Sequence, residues 1–241
     1  GAITVNTSKN SAVALLAASL LNRGRTLFKN MPRIEEVSRI IEVLQSIGVS
    51  IRWLQGNDLE IIPPRKLNLA RLNKESAVKT RSAILLLGSL IHILPYFEMP
   101  HPGGCKLGRR TVRPHLFALE KLGVGIKTIH DTYHVTARKL HPAEVILYEA
   151  GDTVTENAIM AAAGISGKTT IKFASANYQV QDVCHFLEKL GVQIDGIGTT
   201  TLTVHGKKEI NLPVIYEPSE DPIEAMLFLS IAATTKSAIT I

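Results

Sequence analysis

The sequence predicts an α/β fold built from three repeated β-α-β-α-β-β units that pack around central helices. The first observation is a set of three segments that begin with polar residues and continue as helices of small apolar residues, at 8–21, 79–91 and 155–166. The second is an amphipathic helix that follows each segment and ends in a similar motif, at 43–51, 118–126 and 186–194. A recurrence at about 70 residues is typical of a fold assembled from one repeated supersecondary unit.

The second helix of each unit is predicted from its apolar periodicity. Apolar residues recur at three- and four-residue spacing, which places them on one face of a helix. They are Ile34, Val37, Ile41, Leu44 and Ile47 in the first unit, and Val180, Val183, Leu187 and Leu190 in the third. Gly48, Gly123 and Gly191 follow these helices, where a left-handed residue stops a helix.

Strand pairs are predicted after each of these glycines. In the first unit, two extended runs flank a turn of Gly56, Asn57 and Asp58. The first helices of the units are rich in small residues, as in Ala14–Ala18 and Ala161–Gly164. Because small side chains allow backbones to approach closely, these helices are predicted to form the centre of the domain.

Composition and charge restrict the classes of function. Of the 241 residues 45% are hydrophobic and 20% charged, as in a globular protein with a sizeable core. The formal charge of +6 favours an anionic partner, whereas the 5% aromatic content argues against a nucleic-acid platform of stacked rings. No apolar run is long enough to span a bilayer, so no membrane contact is expected. Two cysteines fit the reducing cytoplasm.

A basic loop at 101–115 carries the strongest chemical signal in the chain. Its sequence, HPGGCKLGRRTVRPH, places Cys105 among Lys106, Arg109 and Arg110. Neighbouring cations lower the pKa of a thiol and raise its reactive thiolate fraction. The local sequence leaves two interpretations open: Cys105 is a reagent, or it is a small residue in a turn.

Several ordered motifs resemble those of the enolpyruvyl transferases. They are Ser-Lys-Asn at 8–10, Thr-Arg-Ser at 80–82, Pro-Gly-Gly-Cys at 102–105 and Gly-x-Arg at 108–110. The similarity continues through Thr-Glu-Asn at 155–157 and Asp-x-Ile-Glu at 221–224, so it covers essentially the whole chain.

The resemblance implies a domain organisation. Members of this family have two domains, each an inside-out α/β barrel of three such units, that face each other across a cleft. By this likeness the first domain spans 9–219, with repeats at about 9–78, 79–150 and 151–219. Residues 1–8 and 220–241 would belong to a second, C-terminal domain, most of which is absent from this chain.

The resemblance also implies an activity and a set of site residues. It implies transfer of the enolpyruvyl group of phosphoenolpyruvate to the 3-hydroxyl of UDP-N-acetylglucosamine, with no cofactor and no metal, in peptidoglycan precursor synthesis. The matching cysteine, Cys105, would be catalytic and is the residue that fosfomycin alkylates in this family. The expected substrate-binding residues are Lys9, Asn10, Arg81, Arg110, His115 and Asp221. By the same likeness this chain holds about half of an active site and is expected to be inactive alone.

The chain departs from the family pattern on the nucleotide side of the site. Thr111 and Arg113 stand where the family usually has Pro and Asp, and Pro222 replaces an arginine. Gly-Asp-Thr at 151–153 replaces a small diphosphate-binding turn, and Asn-Tyr-Gln at 177–179 replaces Glu-Pro-Glu. Three alternatives therefore stay open: another acceptor on the same fold, a non-catalytic homologue that binds an anionic ligand, and a nucleic-acid binder supported only by charge.

Overall fold

The computed structural model describes residues 1–103 and 111–241. Within these ranges the helices are α1 (Lys9–Ala18), α2 (Glu35–Ser46), α3 (Lys74–Lys79), α4 (Leu86–Leu90), α5 (Arg113–Lys121), α6 (Asp152–Ala163), α7 (Tyr178–Lys189) and α8 (Pro222–Thr235). The strands are β1 (Thr26–Phe28), β2 (Ser50–Trp53), β3 (Leu59–Ile62), β4 (Tyr96–Pro100), β5 (Gly125–Ile129), β6 (Thr132–Thr136), β7 (Glu144–Ile146), β8 (Gly167–Lys172), β9 (Gln193–Asp195), β10 (Thr201–Gly206) and β11 (Val214–Tyr216). A 3-10 turn at Arg81–Leu85 continues directly into α4, so residues 81–90 form one helical segment.

The strands of the described residues form three separate sheets, one for each predicted unit. Their strand orders are β11-β1-β3-β2, β4-β6-β5 and β7-β8-β10-β9. In each sheet the strand that lies between the central helix and the amphipathic helix of the unit pairs antiparallel with a later strand. These pairs are β1 with β3, β4 with β6, and β8 with β10. The predicted α/β class with three repeated units is confirmed.

The opening strands of the units differ from the predicted boundaries. In the first sheet the opening strand is β11, which pairs parallel to β1 although it lies at the far end of the sequence. The opening strand of the third sheet, β7, pairs parallel to β8 and lies within the stretch assigned to the second repeat. The second sheet has three strands in the described part of the chain. The segment before it contains Pro63 and Pro64 and then a 3-10 turn at Leu69–Arg71, and prolines lack the N–H that a strand ladder needs.

Three helical segments form the centre of the domain. Every residue of α1 from Ser11 to Ala18 is buried, and so is every residue of α6 from Val154 to Ala163. Gly88 in α4 shows how closely they approach, since a Cβ there would lie 2.5 Å from Oδ1 of Asn157 in α6. The prediction of central small-residue helices is confirmed. The amphipathic helices α2, α5 and α7 pack their apolar faces on this centre.

The glycine stops of the amphipathic helices are also confirmed. Gly48, Gly123 and Gly191 have φ values of +105°, +89° and +83°, a region that side chains with a Cβ rarely adopt. Each lies just after the last turn of α2, α5 or α7. These residues let the chain reverse immediately into β2, β5 and β9.

The two ends of the chain lie together beside the start of α1. Isolated bridges join Ala2 to Thr240 and Thr7 to Glu220. Helix α8 is apolar but largely exposed: Ile223 and Met226 are 63% and 59% exposed, whereas Ala232 is buried. In the residues that the structure describes, no helix combines the length and apolar character needed to cross a membrane.

Candidate active site

The starts of the three central helical segments line one cleft of about 590 Å³. Lys9 and Asn10 come from the start of α1, Arg81 from the start of the segment 81–90, and Thr153 from the start of α6. Helix N-termini present N–H groups without intrahelical partners and a positive potential. The arrangement therefore suits a ligand with several negative charges.

Glu36, near the start of α2, holds two of these helix starts together. Its carboxylate accepts a hydrogen bond from Lys9 Nζ at 2.8 Å and one from Thr80 Oγ1 at 3.2 Å, and it also bonds to Ser82 Oγ. Burial alone would raise the pKa of Glu36, but the bonds from Lys9 and Ser82 outweigh it and the pKa is lowered. Glu36 thus stays ionised and fixes the Lys9 ammonium in the cleft.

We expect Glu36→Gln to lower the free energy of unfolding by about 1–2 kcal/mol at pH 7, because a charge-assisted bond to Lys9 is lost. Since the folded-state pKa of Glu36 is lowered, its contribution is present above the ordinary value of 4.5 and is lost as the pH falls through the lowered value. Thermal unfolding from pH 3 to 7 measures this. The matched control is Glu75→Gln, because Glu75 pairs with Lys79 in an exposed position. A Glu36→Gln variant that matches this control at every pH would contradict the expectation.

Arg81 points toward the start of α5 and the predicted site residue His115. One guanidinium N–H of Arg81 donates to the carbonyl of Thr111 at 3.1 Å. His115 is 3% exposed, so it is not a solvated residue, and the N-cap position of α5 is occupied by Val112. Burial lowers the pKa of His115 to about 4, and the positive charge of Arg81 adds to this effect.

Asn157 in α6 fixes the tautomer of His115. Its Oδ1 accepts from the N–H of Gly88 at 2.7 Å, so its amide nitrogen is the atom 3.2 Å from Nδ1 of His115. The neutral ring then carries its proton on Nε2, which lies 3.4 Å from Oγ1 of Thr153. His115 therefore reaches the cleft through Thr153, and its direct contact with a substrate stays a prediction.

The carboxylate of Asp152, which replaces a small residue of the family pattern, is directed away from the cleft. It accepts hydrogen bonds from Ser175 Oγ at 2.5 Å and from Asn177 Nδ2 at 3.2 Å. Gly151 caps α6 without a side-chain bond, so the first N–H groups of the helix have no side-chain partner at the cap. The orientation of Asp152 thereby reduces the repulsion that its charge would exert on an anion at this helix start.

Asp221 lies at the start of α8 and outside the lining of this cleft. Its side chain caps α8 by accepting from the N–H of Ile223 at 2.9 Å. It is close enough for its charge to act on Tyr178, whose pKa is raised mainly by burial. Tyr178 in turn accepts a hydrogen bond from Ser8 Oγ at 3.0 Å, next to Lys9.

The structure thus brings Lys9, Asn10 and Arg81 together and places His115 behind them. Cys105 and Arg110 lie outside the described residues. Cys184 is fully buried, and burial raises the pKa of its thiol to about 12, so it is a core thiol. Across the described residues, no group of three or more His, Cys, Asp and Glu side chains is placed to hold a metal ion.

The sequence interpretation did not identify Glu36 as part of the site. Acidic residues are common in the first turn of any helix, so Glu35 and Glu36 carried no distinguishing signal. The one available indication is that Glu36 lies four and seven residues before Ile40 and Val43, on the side of the helix that is buried.

The profile of the EPSP synthase (3-phosphoshikimate 1-carboxyvinyltransferase) family matches residues 1–241. The chain belongs to the EPSP synthase family. Because the match covers the whole chain, the resemblance drawn from the short motifs is confirmed.

Two curated relatives of this chain have the same name. The chain is 36% identical over 241 residues to the UDP-N-acetylglucosamine 1-carboxyvinyltransferase of Bradyrhizobium diazoefficiens, covering 100% of this chain and 55% of that protein. It is 36% identical over 246 residues to the protein of the same name from Campylobacter hominis, covering 100% and 57%. The chain therefore spans about half the length of the curated relatives it matches.

Solved structures of EPSP synthase-family proteins share the fold. The enolpyruvyl transferase NikO from Streptomyces tendae superposes with a TM-score of 0.82 at 20% identity, over 95% of this chain and 54% of that one. EPSP synthase from Acinetobacter baumannii gives a TM-score of 0.74 at 18% identity, over 97% and 53%. At these identities the likeness establishes the fold alone.

Proposed function

We propose that the full-length protein transfers the enolpyruvyl group of phosphoenolpyruvate to the 3-hydroxyl of UDP-N-acetylglucosamine and releases phosphate. The observation that carries the proposal is the cleft in which Lys9, Asn10 and Arg81 meet at the starts of the central helices. Phosphoenolpyruvate carries a carboxylate and a phosphate, and a helix start, an ammonium and a guanidinium suit both groups. The names of the curated relatives support the choice of acceptor.

The proposed reaction has two stages. In the first, a proton adds to the methylene carbon of phosphoenolpyruvate and the sugar oxygen bonds to C2, as the hydroxyl gives up its proton. In the second, the bond from C2 to the phosphate oxygen breaks and the methyl carbon loses a proton. The products are the enolpyruvyl ether and inorganic phosphate, so the reaction needs no oxidant, reductant or cofactor.

Each residue has a separate role in this proposal. Lys9 and Arg81 hold the phosphate and the carboxylate of phosphoenolpyruvate, and they stabilise the negative charge that develops on these two groups during the reaction. Asn10 offers an amide to a sugar hydroxyl. By family resemblance, Cys105 transfers the proton at the methylene carbon of phosphoenolpyruvate, and Arg110 binds a negatively charged group of the substrate next to Cys105. His115 supports Thr153 from behind the cleft.

We also propose that residues 9–219 form the first domain and that 1–8 and 220–241 belong to a second one. The bridges between the two ends of the chain support this division. So does α8, whose apolar residues Ile223, Met226 and Leu227 are each more than half exposed. Exposed apolar surface of this kind is typical of a helix that another layer covers.

The decisive experiment measures phosphate release by the full-length protein from phosphoenolpyruvate, with UDP-N-acetylglucosamine as acceptor. Release that requires this acceptor is the expected result. Release with a different hydroxyl acceptor would keep the reaction class and replace the acceptor. Absence of release with any acceptor would leave a non-catalytic homologue as the better description.

Thiol labelling tests the role of Cys105 separately. We expect fosfomycin to modify one thiol per chain and UDP-N-acetylglucosamine to change the rate of labelling. Because burial raises the pKa of Cys184 to about 12, Cys184→Ala should leave labelling unchanged and Cys105→Ser should abolish it. Mass spectrometry of the labelled protein measures both. Labelling that persists in Cys105→Ser would contradict the assignment.

A further inference from the structure

A second cleft lies at the other end of the central helices. Leu20 and Leu21 follow α1, His92 follows the segment 81–90, and Gly164 follows α6. These residues line two adjoining hollows of about 720 and 450 Å³. The hollows share residues 92–95 and Lys208, and together we call them the distal cleft. A ten-residue helix is about 15 Å long, so the distal cleft is separate from the cleft at Lys9 and Arg81.

The distal cleft has an excess of positive charge that the described residues do not neutralise. Its cationic residues are Arg23, Arg65, Lys66, Arg138 and Lys208, and its one carboxylate is Glu209. Within the described part of the chain, none of the five cations forms an ion pair or a side-chain hydrogen bond. In the cleft at the helix starts, by contrast, Lys9, Arg39 and Lys79 all pair with carboxylates.

Cations are common near helix C-termini because they complement the helix dipole. None of the five cations, however, donates a side-chain hydrogen bond to a described helix carbonyl, so none is fixed at a helix end by such a bond. The five charges also come from four separate loops, which follow the 3-10 turn at Ser19–Leu21 and the strands β3, β6 and β10. All five cations line the distal cleft, but they do not lie together at the end of any one helix.

The walls of the distal cleft are held rigidly. The buried side chain of Asn22 donates to Leu212 O at 2.8 Å and accepts from Leu212 N and Gly24 N, both at 3.0 Å. This fixes the loop of Arg23 to the segment after Lys208. On the other side, the N–H of Lys207 donates to Ala163 O at 2.8 Å, at the end of α6. A site preformed in this way loses little entropy when a ligand binds.

The lining of the distal cleft is apolar beneath the cations. Leu20, Leu21 and Leu67 are buried in its floor, and Pro63, Pro64 and Pro95 form part of its wall. An apolar floor with a cationic rim fits a ligand that has an anionic group and an apolar part. The clustered guanidinium and ammonium groups suit the several oxygens of a phosphate.

We propose that the distal cleft binds a phosphate ester that also carries an apolar group. The ligand is either a free metabolite or the headgroup of a lipid, and both sources share this chemistry. The site is independent of the proposed transfer reaction, which uses the opposite end of the helices. Bridges between the first and last residues of the described chain lie near the start of α1, at the opposite end of the central helices from the distal cleft.

The test is isothermal titration calorimetry of the full-length protein with two probes, inorganic pyrophosphate and dihexanoyl phosphatidic acid. A Lys9→Met background weakens anion binding in the other cleft. The test variant is Arg65→Gln with Lys66→Gln, and the matched control is Lys74→Gln with Lys127→Gln, which removes two exposed, unpaired cations elsewhere. We expect the test variant to weaken pyrophosphate binding about tenfold and the control to weaken it less than twofold. We also expect the phosphatidate to bind more tightly than pyrophosphate.

The source of the ligand is decided by co-sedimentation with phosphatidylglycerol vesicles. Vesicle binding that the test variant loses identifies a lipid headgroup, and pyrophosphate binding without vesicle binding identifies a free metabolite. Either result supports the proposal. Lack of saturable binding of both calorimetric probes would overturn it, and so would equal losses in the test and control variants. Because Arg65 and Lys66 lie outside the proposed active site, Arg65→Gln with Lys66→Gln, made in a chain that keeps Lys9, is expected to release phosphate at an unchanged rate, which separates this test from the function assay.

Discussion

Replacing Lys9 by Met is expected to lower kcat/KM for phosphoenolpyruvate by about 10²- to 10³-fold, if phosphate release is measured with the full-length protein. Lys9 lies at the start of α1, where the helix field adds to its own positive charge. Its ammonium is held in place by Glu36 at 2.8 Å. A group fixed before the substrate binds stabilises the developing phosphate charge without a cost of reorganisation. Met keeps most of the volume of the side chain and removes the charge.

The matched control for this change is Lys29→Met. Lys29 is 42% exposed and Lys9 is 40% exposed, and each pairs with one carboxylate, Asp58 or Glu36. The two substitutions therefore remove the same charge and the same kind of ion pair. We expect Lys29→Met to leave kcat/KM within about twofold, because Lys29 is not among the residues that line the cleft of Lys9 and Arg81. Similar losses in both variants would show that the effect of Lys9 is general electrostatics or stability rather than substrate binding.

The features that the sequence predicted correctly depend on local chemistry. The apolar periodicity of α2 and α7 and the left-handed glycines after them follow from residues close together in the chain. The central position of α1 and α6 follows from their small side chains, because larger ones would not fit between packed backbones. Such features are repeated in each unit, and this repetition made the α/β class predictable from the sequence.

The features that the sequence did not predict depend on contacts between distant residues. Nothing local to Val214–Tyr216 indicates that this strand pairs with Thr26–Phe28 in the first unit. In the site, the same limit applies to Glu36, whose partners Thr80 and Ser82 lie 44 and 46 residues away. Packing of α5 against α6 buries His115 behind Thr153, a placement that its position in the sequence does not indicate, and its contact with a substrate stays a prediction. Lys9, Asn10 and Arg81 were predictable because each begins a repeated helical segment.

Replacing Glu156 by Gln is expected to stabilise the chain at alkaline pH. Glu156 is 1% exposed in α6, and an interaction with the Gln179 side chain only partly offsets the burial of its carboxyl group. Burial raises the pKa of Glu156 to about 8, and the negative charge of Asp152 adds to this effect. The folded state therefore holds a proton that the unfolded chain releases near the ordinary value of 4.5. Stability falls as the pH rises from about 4.5 and the loss is complete above about 8.

The expected difference in free energy of unfolding between Glu156→Gln and the parent chain follows from this loss of stability with rising pH. Gln keeps the shape of the protonated acid and cannot ionise, so the two proteins should have similar free energies of unfolding near pH 4.5. Above pH 8 the variant should be more stable by roughly 3–5 kcal/mol. Urea denaturation across this pH range measures the difference. Glu149→Gln is the matched control, because Glu149 is exposed close to the start of the same helix and should give no such trend. If the difference in free energy of unfolding between Glu156→Gln and the parent chain did not depend on pH, the prediction would be wrong. The folded chain would then stabilise the Glu156 carboxylate through a compensating partner or through water that reaches the centre of the helices.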